Sequence, residues 1–281
     1  MDAYSPAASP LFTTTPISPG DADADVLPLL SPIAQTQADH FDPDRPYQPG
    51  QPKSLAGIAM RAFCLGIALG LAVLLTLATL AWTASPLWRL PFFLAALATF
   101  HFLEFWTTAA YNTRNADVKS FLLTANWPAY AIAHAAASLE CLVVGVAWPG
   151  RSWAPLHGGL LVTAAGLAMV VVGQVVRSVA MVQAGASFNH VVQQYRTRQH
   201  TLITTGIYAH LRHPSYFGFF WWGLGTQLVM GNVICFVAYT AVLWRFFSSR
   251  IKREEQLLVQ FFGDEYVDYK RRTGTKIPFV P

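Results

Sequence analysis

The sequence predicts an all-α, polytopic membrane protein with about six transmembrane helices. Its 281 residues are 53% hydrophobic and only 12% charged, whereas soluble domains carry roughly 25% charged residues. The apolar residues also fall into long runs, and a transmembrane helix needs roughly 20 of them in succession. The runs lie at about 57–82, 90–111, 128–148, 155–181, 214–230 and 232–248. A buried soluble core would not combine so many long runs with so few charges.

The first 54 residues differ from the rest of the chain. They contain ten of the 18 prolines and seven aspartates, against only Arg45 and Lys53 as basic residues. Such a Pro-rich, acidic stretch cannot bury enough apolar surface to fold alone, and it lacks the basic start and apolar core of a signal peptide. We predict a disordered, dispensable tail over 1–54. The remaining chain divides into transmembrane helices 1–4 over 55–182 and a last region over 183–281.

The basic residues are divided unevenly between the predicted loops. With six spans, the N-terminus, the 112–127 loop, the 182–212 segment and the C-terminal tail all lie on one side, together with most Lys and Arg residues. The other side receives essentially Arg151. Because cytoplasmic loops carry the excess of Lys and Arg, we predict that both ends of the chain are cytosolic.

Cysteines and short motifs argue against several classes of site. Cys64, Cys141 and Cys235 each lie inside a predicted span without metal-like spacing, and we interpret them as small buried side chains. The glycine fingerprint of dinucleotide-binding folds is absent, so any such cofactor must be held in another way. We predict no metal site and no nucleic-acid partner.

Polar residues concentrate at 183–216 and at the end of the sixth predicted span. Pro214 suits the first turn of the fifth span, where its missing N–H costs nothing. Gly231-Asn232 predicts a tight turn, so spans five and six should form a hairpin that brings the 213–216 run close to Arg250 and Glu254. Imidazole, hydroxyls, a cation and a carboxylate then meet where lipid meets water. This arrangement suits a site that joins a water-soluble reagent to a lipidic substrate.

Two sets of residues have competing interpretations at this point. Arg250 and Glu254 are four residues apart on one helical face, and an exposed ion pair there would contribute only a few tenths of a kcal/mol. Ionisable groups inside a bilayer are costly and often functional, but they also serve as polar contacts between helices. The intramembrane residues concerned are His101, Glu104, His134 and Glu140.

Four segments of the C-terminal region carry a family resemblance. They read "FNHVVQ" (188–193), "HTLITTGIYAHLRHPSYFGFFWWGLGTQ" (200–227), "WRFFSSRIKREE" (244–255) and "FFGDEYVDYKRR" through "IPF" (261–279). Together they resemble the protein-S-isoprenylcysteine O-methyltransferase family, membrane enzymes that methylate the C-terminal carboxylate of prenylated, CaaX-processed proteins. The Arg-His-Pro-x-Tyr element alone also occurs in related phospholipid methyltransferases and sterol reductases. The Glu254-Glu255 pair and the last of the four segments make the match specific.

The resemblance implies a cytosolic, helical catalytic region at the C-terminus, S-adenosylmethionine as methyl donor, and the endoplasmic reticulum membrane as location. It implies that the partners are a prenylated C-terminal cysteine and the lipid bilayer, and that Arg250 is the catalytic residue that binds the substrate carboxylate. It also implies a set of residues that line the cofactor pocket. These are Gln193, His200, Thr201, Leu202, Ile203, Tyr208, His213, Pro214, Ser215, Tyr216 and Glu254.

Three other functions are compatible with the residues alone. Two use the same scaffold, namely a phospholipid methyltransferase and an NADPH-dependent sterol reductase, and the third is a non-catalytic, lipid-binding membrane protein. A transporter would place its polar residues near the bilayer midplane, whereas the densest polar cluster here lies at the predicted cytosolic edge. Farnesyl and geranylgeranyl groups are both compatible with the sequence.

Overall fold

A computed structural model describes residues 42–123, 127–150, 159–196 and 200–280. The chain divides into two units, residues 1–46 and residues 47–281. Most of the predicted tail, residues 1–41, lies outside the described residues, and so does the beginning of the predicted span at 155–181.

The described residues form seven α-helices and contain no β-strand. They are α1 (Leu55–Trp82), α2 (Arg89–Tyr111), α3 (Ala129–Ala147), α4 (Gly159–Ala184), α5 (Pro214–Met230), α6 (Ile234–Phe262) and α7 (Asp264–Arg272). By length and composition, α1, α2, α3, α4 and α6 can cross a membrane. The predicted fifth span, α5, has 17 residues, and most of its side chains are buried among the other helices. The all-α polytopic fold is therefore confirmed, with five long apolar helices around a shorter enclosed one.

The folded part of the chain begins before residue 54. Ser54 caps α1, because its hydroxyl accepts the Gly57 N–H at 3.1 Å. The Pro52 carbonyl accepts the Val118 N–H at 2.8 Å, and the Lys53 ammonium donates to the Arg114 carbonyl at 2.9 Å. These contacts join residues 52–54 to α1 and to the segment that follows α2.

Helices α4 and α5 pack with their backbones in contact through two pairs of glycines. On one helix Gly166 and Gly173 are seven residues apart, and on the other Gly218 and Gly225 have the same spacing. A Cβ atom on Gly166 would lie 2.9 Å from the Gly225 carbonyl oxygen, and one on Gly173 would lie 2.6 Å from that of Gly218. Small residues are what allow membrane helices to approach so closely. The approach fixes the position of α5, whose first turn carries the predicted site.

We expect Gly173→Ala to destabilise the protein by about 1–3 kcal/mol, the usual cost of overpacking a tight contact. The added methyl group would meet the Gly218 carbonyl oxygen at 2.6 Å and the Trp222 backbone nitrogen at 2.7 Å, and backbone atoms cannot move aside cheaply. The apparent Tm of the detergent-solubilised protein measures the effect. Gly66→Ala is the matched control, because a Cβ there would meet no atom within 4 Å. An equal Tm for the two variants would contradict this packing.

A sharp hairpin joins α5 to α6. Gly231 ends α5 in the left-handed region at φ 69°, where glycine is favoured. The Glu140 carboxylate of α3 then accepts the backbone N–H groups of Val233, Ile234 and Cys235 at 2.7–2.8 Å. A carboxylate is favourable at a helix N-terminus, where N–H groups lack partners inside the helix. Glu140 is thus a contact between helices that sets the direction of α6.

The C-terminal segment packs against the same hairpin. Ile277 and Val280 join a buried cluster that includes Phe220 of α5 and Phe247 of α6. The Trp244 indole N–H donates to the Pro278 carbonyl at 2.9 Å. The C-terminal segment therefore contacts both helices of the hairpin and holds them together.

Candidate active site

Tyr216, in the first turn of α5, connects two of the predicted site residues. Its hydroxyl donates to Glu254 Oε2 at 2.5 Å and accepts from Arg250 Nε at 2.8 Å. Its ring stacks on His213, with centroids 5.4 Å apart, and on Phe247 at 5.2 Å. Arg250 and Glu254 thus share one hydroxyl, and they do not form the exposed ion pair that their spacing also allowed.

A second contact fixes the Arg250 guanidinium. Its Nη2 donates to the backbone carbonyl of His190 at 2.5 Å, in the segment that follows α4. The His190 ring in turn lies 3.2 Å from the Thr108 hydroxyl of α2, and burial lowers its pKa. A neutral imidazole next to Arg250 adds no repulsion, so the guanidinium keeps a defined direction at the end of the helical bundle.

A small cavity, about 110 Å³, lies on the Glu254 side of Tyr216. Ten of the eleven residues assigned to the cofactor line it, and they are His200, Thr201, Leu202, Ile203, Tyr208, His213, Pro214, Ser215, Tyr216 and Glu254. Gln193 is the exception. Its side-chain amide donates to the Val191 carbonyl at 3.1 Å, and the residue lines neither cavity. We name this space the polar cavity.

Other lining residues of the polar cavity were not singled out from the sequence. Leu258 and Phe262 belong to α6, and Tyr266 and Tyr269 belong to α7. Phe262, Tyr266 and Tyr269 lie in the matched segment over 261–272, which was the one signal that could have placed them near the site.

Two buried polar atoms of the polar cavity have no hydrogen-bond partner within the described ranges. They are Nδ1 of His200 and the hydroxyl of Tyr266. Burial lowers the pKa of His200 and raises the pKa of Tyr266, so both groups are neutral near pH 7. Since buried polar groups are normally satisfied, the cavity is built for a ligand that carries polar groups of its own.

A larger cavity, about 660 Å³, is mostly apolar and lies between α2, α3, α5 and α6. Phe100, Phe219 and Trp222 contribute to its wall, and Arg250 lines one end. Ile132 of α3 and Val242 of α6 line it as well, although each is more than 60% exposed. The cavity therefore reaches the outer, apolar surface of the bundle between α3 and α6. We name it the apolar cavity.

The two cavities meet at the first turn of α5. Both are lined by Phe188, Asn189, Ser215 and Tyr216. Glu254 lines only the polar cavity and Arg250 only the apolar one, so they lie on opposite sides of the Tyr216 hydroxyl. A polar molecule and an apolar molecule could thus meet at this point, each from its own side.

A buried ion pair holds Ser215, one of the residues that line both cavities. Glu104 of α2 forms a bidentate pair with Arg177 of α4, and Arg177 Nη1 donates to the carbonyl and hydroxyl oxygens of Ser215 at 3.1 and 3.0 Å. Glu104 thus serves as a polar contact between helices, which was one of its two interpretations. Arg177 was not singled out from the sequence, where it stands alone inside a long apolar run.

A second charged cluster surrounds Glu255, next in sequence to Glu254. Its carboxylate, 7% exposed, pairs with Arg212 at 2.5 Å, His213 at 3.2 Å and Lys270 at 2.6 Å. Arg212 also donates to the Thr273 carbonyl. His213 therefore lines the polar cavity and at the same time helps to join α5 and α6 to α7.

Comparisons with known proteins agree on one family. Residues 166–260 match the model of the isoprenylcysteine carboxyl methyltransferase (ICMT) family. The chain is 41% identical over 224 residues to the protein-S-isoprenylcysteine O-methyltransferase of Saccharomyces cerevisiae, which covers 79% of this chain and 91% of that protein. It is 39% identical over 223 residues to the human enzyme of the same name, which covers 79% and 75%. A solved structure of the eukaryotic intramembrane Ras methyltransferase ICMT matches with a TM-score of 0.73 and 30% identity, over 92% of this chain and 90% of that one.

Proposed function

This chain belongs to the isoprenylcysteine carboxyl methyltransferase family, and we propose that it transfers a methyl group from S-adenosylmethionine to the α-carboxylate of a C-terminal prenylcysteine, giving a methyl ester. One observation carries the proposal. A polar and an apolar cavity meet at Tyr216, with Glu254 on one side and Arg250 on the other. A water-soluble donor and a lipid-modified acceptor need this kind of separate access to one point.

The residues of the polar cavity fit a polar, cationic donor. Glu254 supplies a negative charge, and His200 Nδ1 and the Tyr266 hydroxyl are polar atoms that lack hydrogen-bond partners among the described residues. S-adenosylmethionine, when bound, would supply a methyl group on a positively charged sulfur. Glu254 would hold that positive charge near Tyr216, while Leu202 and Ile203 provide apolar surface.

Arg250 suits the orientation of the acceptor. A prenylcysteine α-carboxylate has a pKa of roughly 3.5, so it is an anion at cytosolic pH and needs no general base. A guanidinium binds a carboxylate in a defined plane through two parallel hydrogen bonds. Tyr216 and His190 hold Arg250 in place, so the bound carboxylate is aligned before the reaction. Alignment of two bound reactants contributes on the order of 7–11 kcal/mol.

We place the enzyme in the endoplasmic reticulum membrane with both ends of the chain in the cytosol. Contacts at one end of the bundle support the prediction that three segments lie on the same side of the membrane. These are the N-terminal segment, the 112–127 loop and the 182–212 segment. Besides the contacts of Pro52 and Lys53 with the 112–123 loop, the Asn112 amide donates to the Phe188 carbonyl at 2.7 Å. The polar cavity opens beside these segments, where a soluble donor is available.

The proposal is tested with membranes that contain the purified full-length chain. We expect transfer of labelled methyl groups from S-adenosylmethionine to N-acetyl-farnesylcysteine, in a product that releases labelled methanol in base, as a methyl ester does. N-acetyl-geranylgeranylcysteine in parallel measures the preference for the prenyl group. Label in a phospholipid, or NADPH-dependent reduction of a sterol without methyl transfer, would overturn the proposal in favour of one of the other enzymes.

Tyr208→Phe tests the assignment of the polar cavity. The Tyr208 hydroxyl donates to the Ala180 carbonyl of α4 at 3.2 Å. The backbone carbonyl of Tyr208, which the substitution leaves in place, accepts from the Tyr269 hydroxyl at 2.7 Å. The Tyr208 hydroxyl holds the residue in the wall of the polar cavity. If the loss of this neutral hydrogen bond, about 1 kcal/mol, is felt fully in donor binding, the KM for S-adenosylmethionine should rise about fivefold and the KM for the prenylcysteine should stay within twofold. Separate titration of the two substrates measures both values. The assignment is wrong if the prenylcysteine KM changes instead.

A further inference from the structure

The apolar cavity has a group of polar side chains in its wall, away from Arg250. His101 of α2, Tyr130 and His134 of α3, and Tyr239 of α6 all line it. The Tyr130 ring lies 5.9 Å from the His101 ring and 5.5 Å from the His134 ring, and the Tyr239 hydroxyl lies 3.3 Å from His134 Nδ1. These four residues form what we name the polar patch. Tyr239 precedes Arg250 by eleven residues on α6, a distance of about 16 Å along the helix.

The hydrogen bonds of the two imidazoles determine what the polar patch offers. His101 Nδ1 lies 2.7 Å from the Phe121 carbonyl oxygen, which only accepts, so Nδ1 carries the proton and Nε2 is an acceptor. In His134, Nδ1 lies 3.3 Å from the Tyr239 hydroxyl, and either atom can be the donor, so Nε2 is a donor in one tautomer and an acceptor in the other. Both Nε2 atoms are buried and have no partner within the part of the chain that the structure describes. The patch thus presents an acceptor, His101 Nε2, and a second unpartnered ring nitrogen, His134 Nε2.

A prenyl chain cannot satisfy these two atoms, because it is a hydrocarbon without a donor or an acceptor. A hydroxyl group can satisfy either of them, because it donates one hydrogen bond and accepts others. Most of the remaining wall is apolar apart from the end that contains Arg250. The cavity opens between α3 and α6, two of the helices that can cross a membrane, so lipids can reach the opening. The ligand that matches all three features is a neutral lipid with a single hydroxyl group.

We propose that the polar patch binds the hydroxyl group of a neutral lipid alcohol, a free prenol or a sterol, which enters the apolar cavity from the bilayer. This lipid occupies the cavity in the absence of substrate, and the prenylcysteine displaces it. The proposal goes beyond methyl transfer, because binding of the alcohol requires neither the donor nor the reaction. It makes the activity of the enzyme sensitive to the alcohol content of the surrounding membrane.

Binding is measured with tritiated farnesol and the purified protein in nanodiscs, without S-adenosylmethionine or prenylcysteine, and with protein-free nanodiscs as background. The competitors are unlabelled farnesol, farnesyl methyl ether (which can only accept), the matching saturated hydrocarbon, and cholesterol. We expect farnesol to compete at least tenfold better than the hydrocarbon, with the ether between them. Strong competition by cholesterol identifies a sterol as an accepted ligand, and weak competition restricts the patch to acyclic alcohols.

The variants His101→Phe and His134→Phe keep a ring of similar shape and remove the unpartnered nitrogen atoms. In both we expect the advantage of farnesol over the hydrocarbon to fall to less than threefold. Competition by the hydrocarbon within each variant shows that the cavity is intact. Tyr239→Phe is the milder variant, which removes only the hydroxyl that orients His134, and there we expect a partial loss.

Two results would overturn the proposal. Equal competition by farnesol and the hydrocarbon in the wild-type protein would show that the patch binds no alcohol. An unchanged advantage of farnesol in the three variants would show that the hydroxyl binds elsewhere, for instance beside Arg250. Neither result bears on methyl transfer, which the labelled-methyl assay tests separately.

Discussion

Replacing Arg250 with alanine is expected to lower kcat/KM for the prenylcysteine by at least about 100-fold, while the protein stays folded. The side chain binds Tyr216 and a backbone carbonyl at the junction of the two cavities. If it aligns the substrate carboxylate with roughly 3 kcal/mol of transition-state stabilisation, its loss costs about two orders of magnitude in rate. Arg250 is partly exposed and takes part in none of the ion pairs found among the described residues, so stability should change little.

The controls for Arg250 separate orientation from charge. Arg253→Ala removes an exposed arginine from the same helix and should retain wild-type activity. Arg250→Lys keeps the charge but not the two parallel hydrogen bonds, and it should recover only part of the lost rate. The exchange of Arg250→Glu with Glu254→Arg should be inactive, because it places like charges against both substrates. An active exchange variant would contradict the site.

Replacing Glu254 with glutamine is expected to raise the KM for S-adenosylmethionine about 10- to 100-fold. A hydrogen bond or contact with a charged partner contributes about 1.5–3 kcal/mol, and Glu254 is the carboxylate that lines the polar cavity. The KM for the prenylcysteine should change less than threefold, because Glu254 does not line the apolar cavity. Initial rates over a grid of both substrate concentrations measure the two constants.

Glu265→Gln is the matched control for Glu254, since Glu265 is an exposed carboxylate at the start of α7. It should leave both KM values at wild type. Because the Tyr216 hydroxyl donates to Glu254, the Glu254→Gln variant should also be assayed with Tyr216→Phe. Additive effects of the two substitutions on the KM for S-adenosylmethionine would show that Glu254 acts directly on the donor. A Glu254→Gln variant that changes only the KM for the prenylcysteine would contradict that role.

The helices of the membrane region could be predicted closely from the sequence. The runs at 57–82 and 90–111 correspond to Leu55–Trp82 and Arg89–Tyr111, because the thickness of the bilayer sets both the length and the apolar character of a spanning helix. The enclosure of α5 could not be predicted in this way. Its composition resembles that of a lipid-facing helix, and only the backbone contact with α4 shows that most of it faces protein.

The sequence by itself determined the membrane class and the family, and it predicted the segments of the candidate site, because the spacing of apolar residues and short motifs are local properties of the chain. Only the tertiary structure decided the contacts of those segments. Arg250 and Glu254 share the Tyr216 hydroxyl, and Arg177 pairs with Glu104, 73 residues away in sequence. The apolar cavity likewise arises from α2, α3, α5 and α6 together, and its polar patch from α2, α3 and α6. Such contacts depend on which helix faces meet, and that is set by packing between distant parts of the chain.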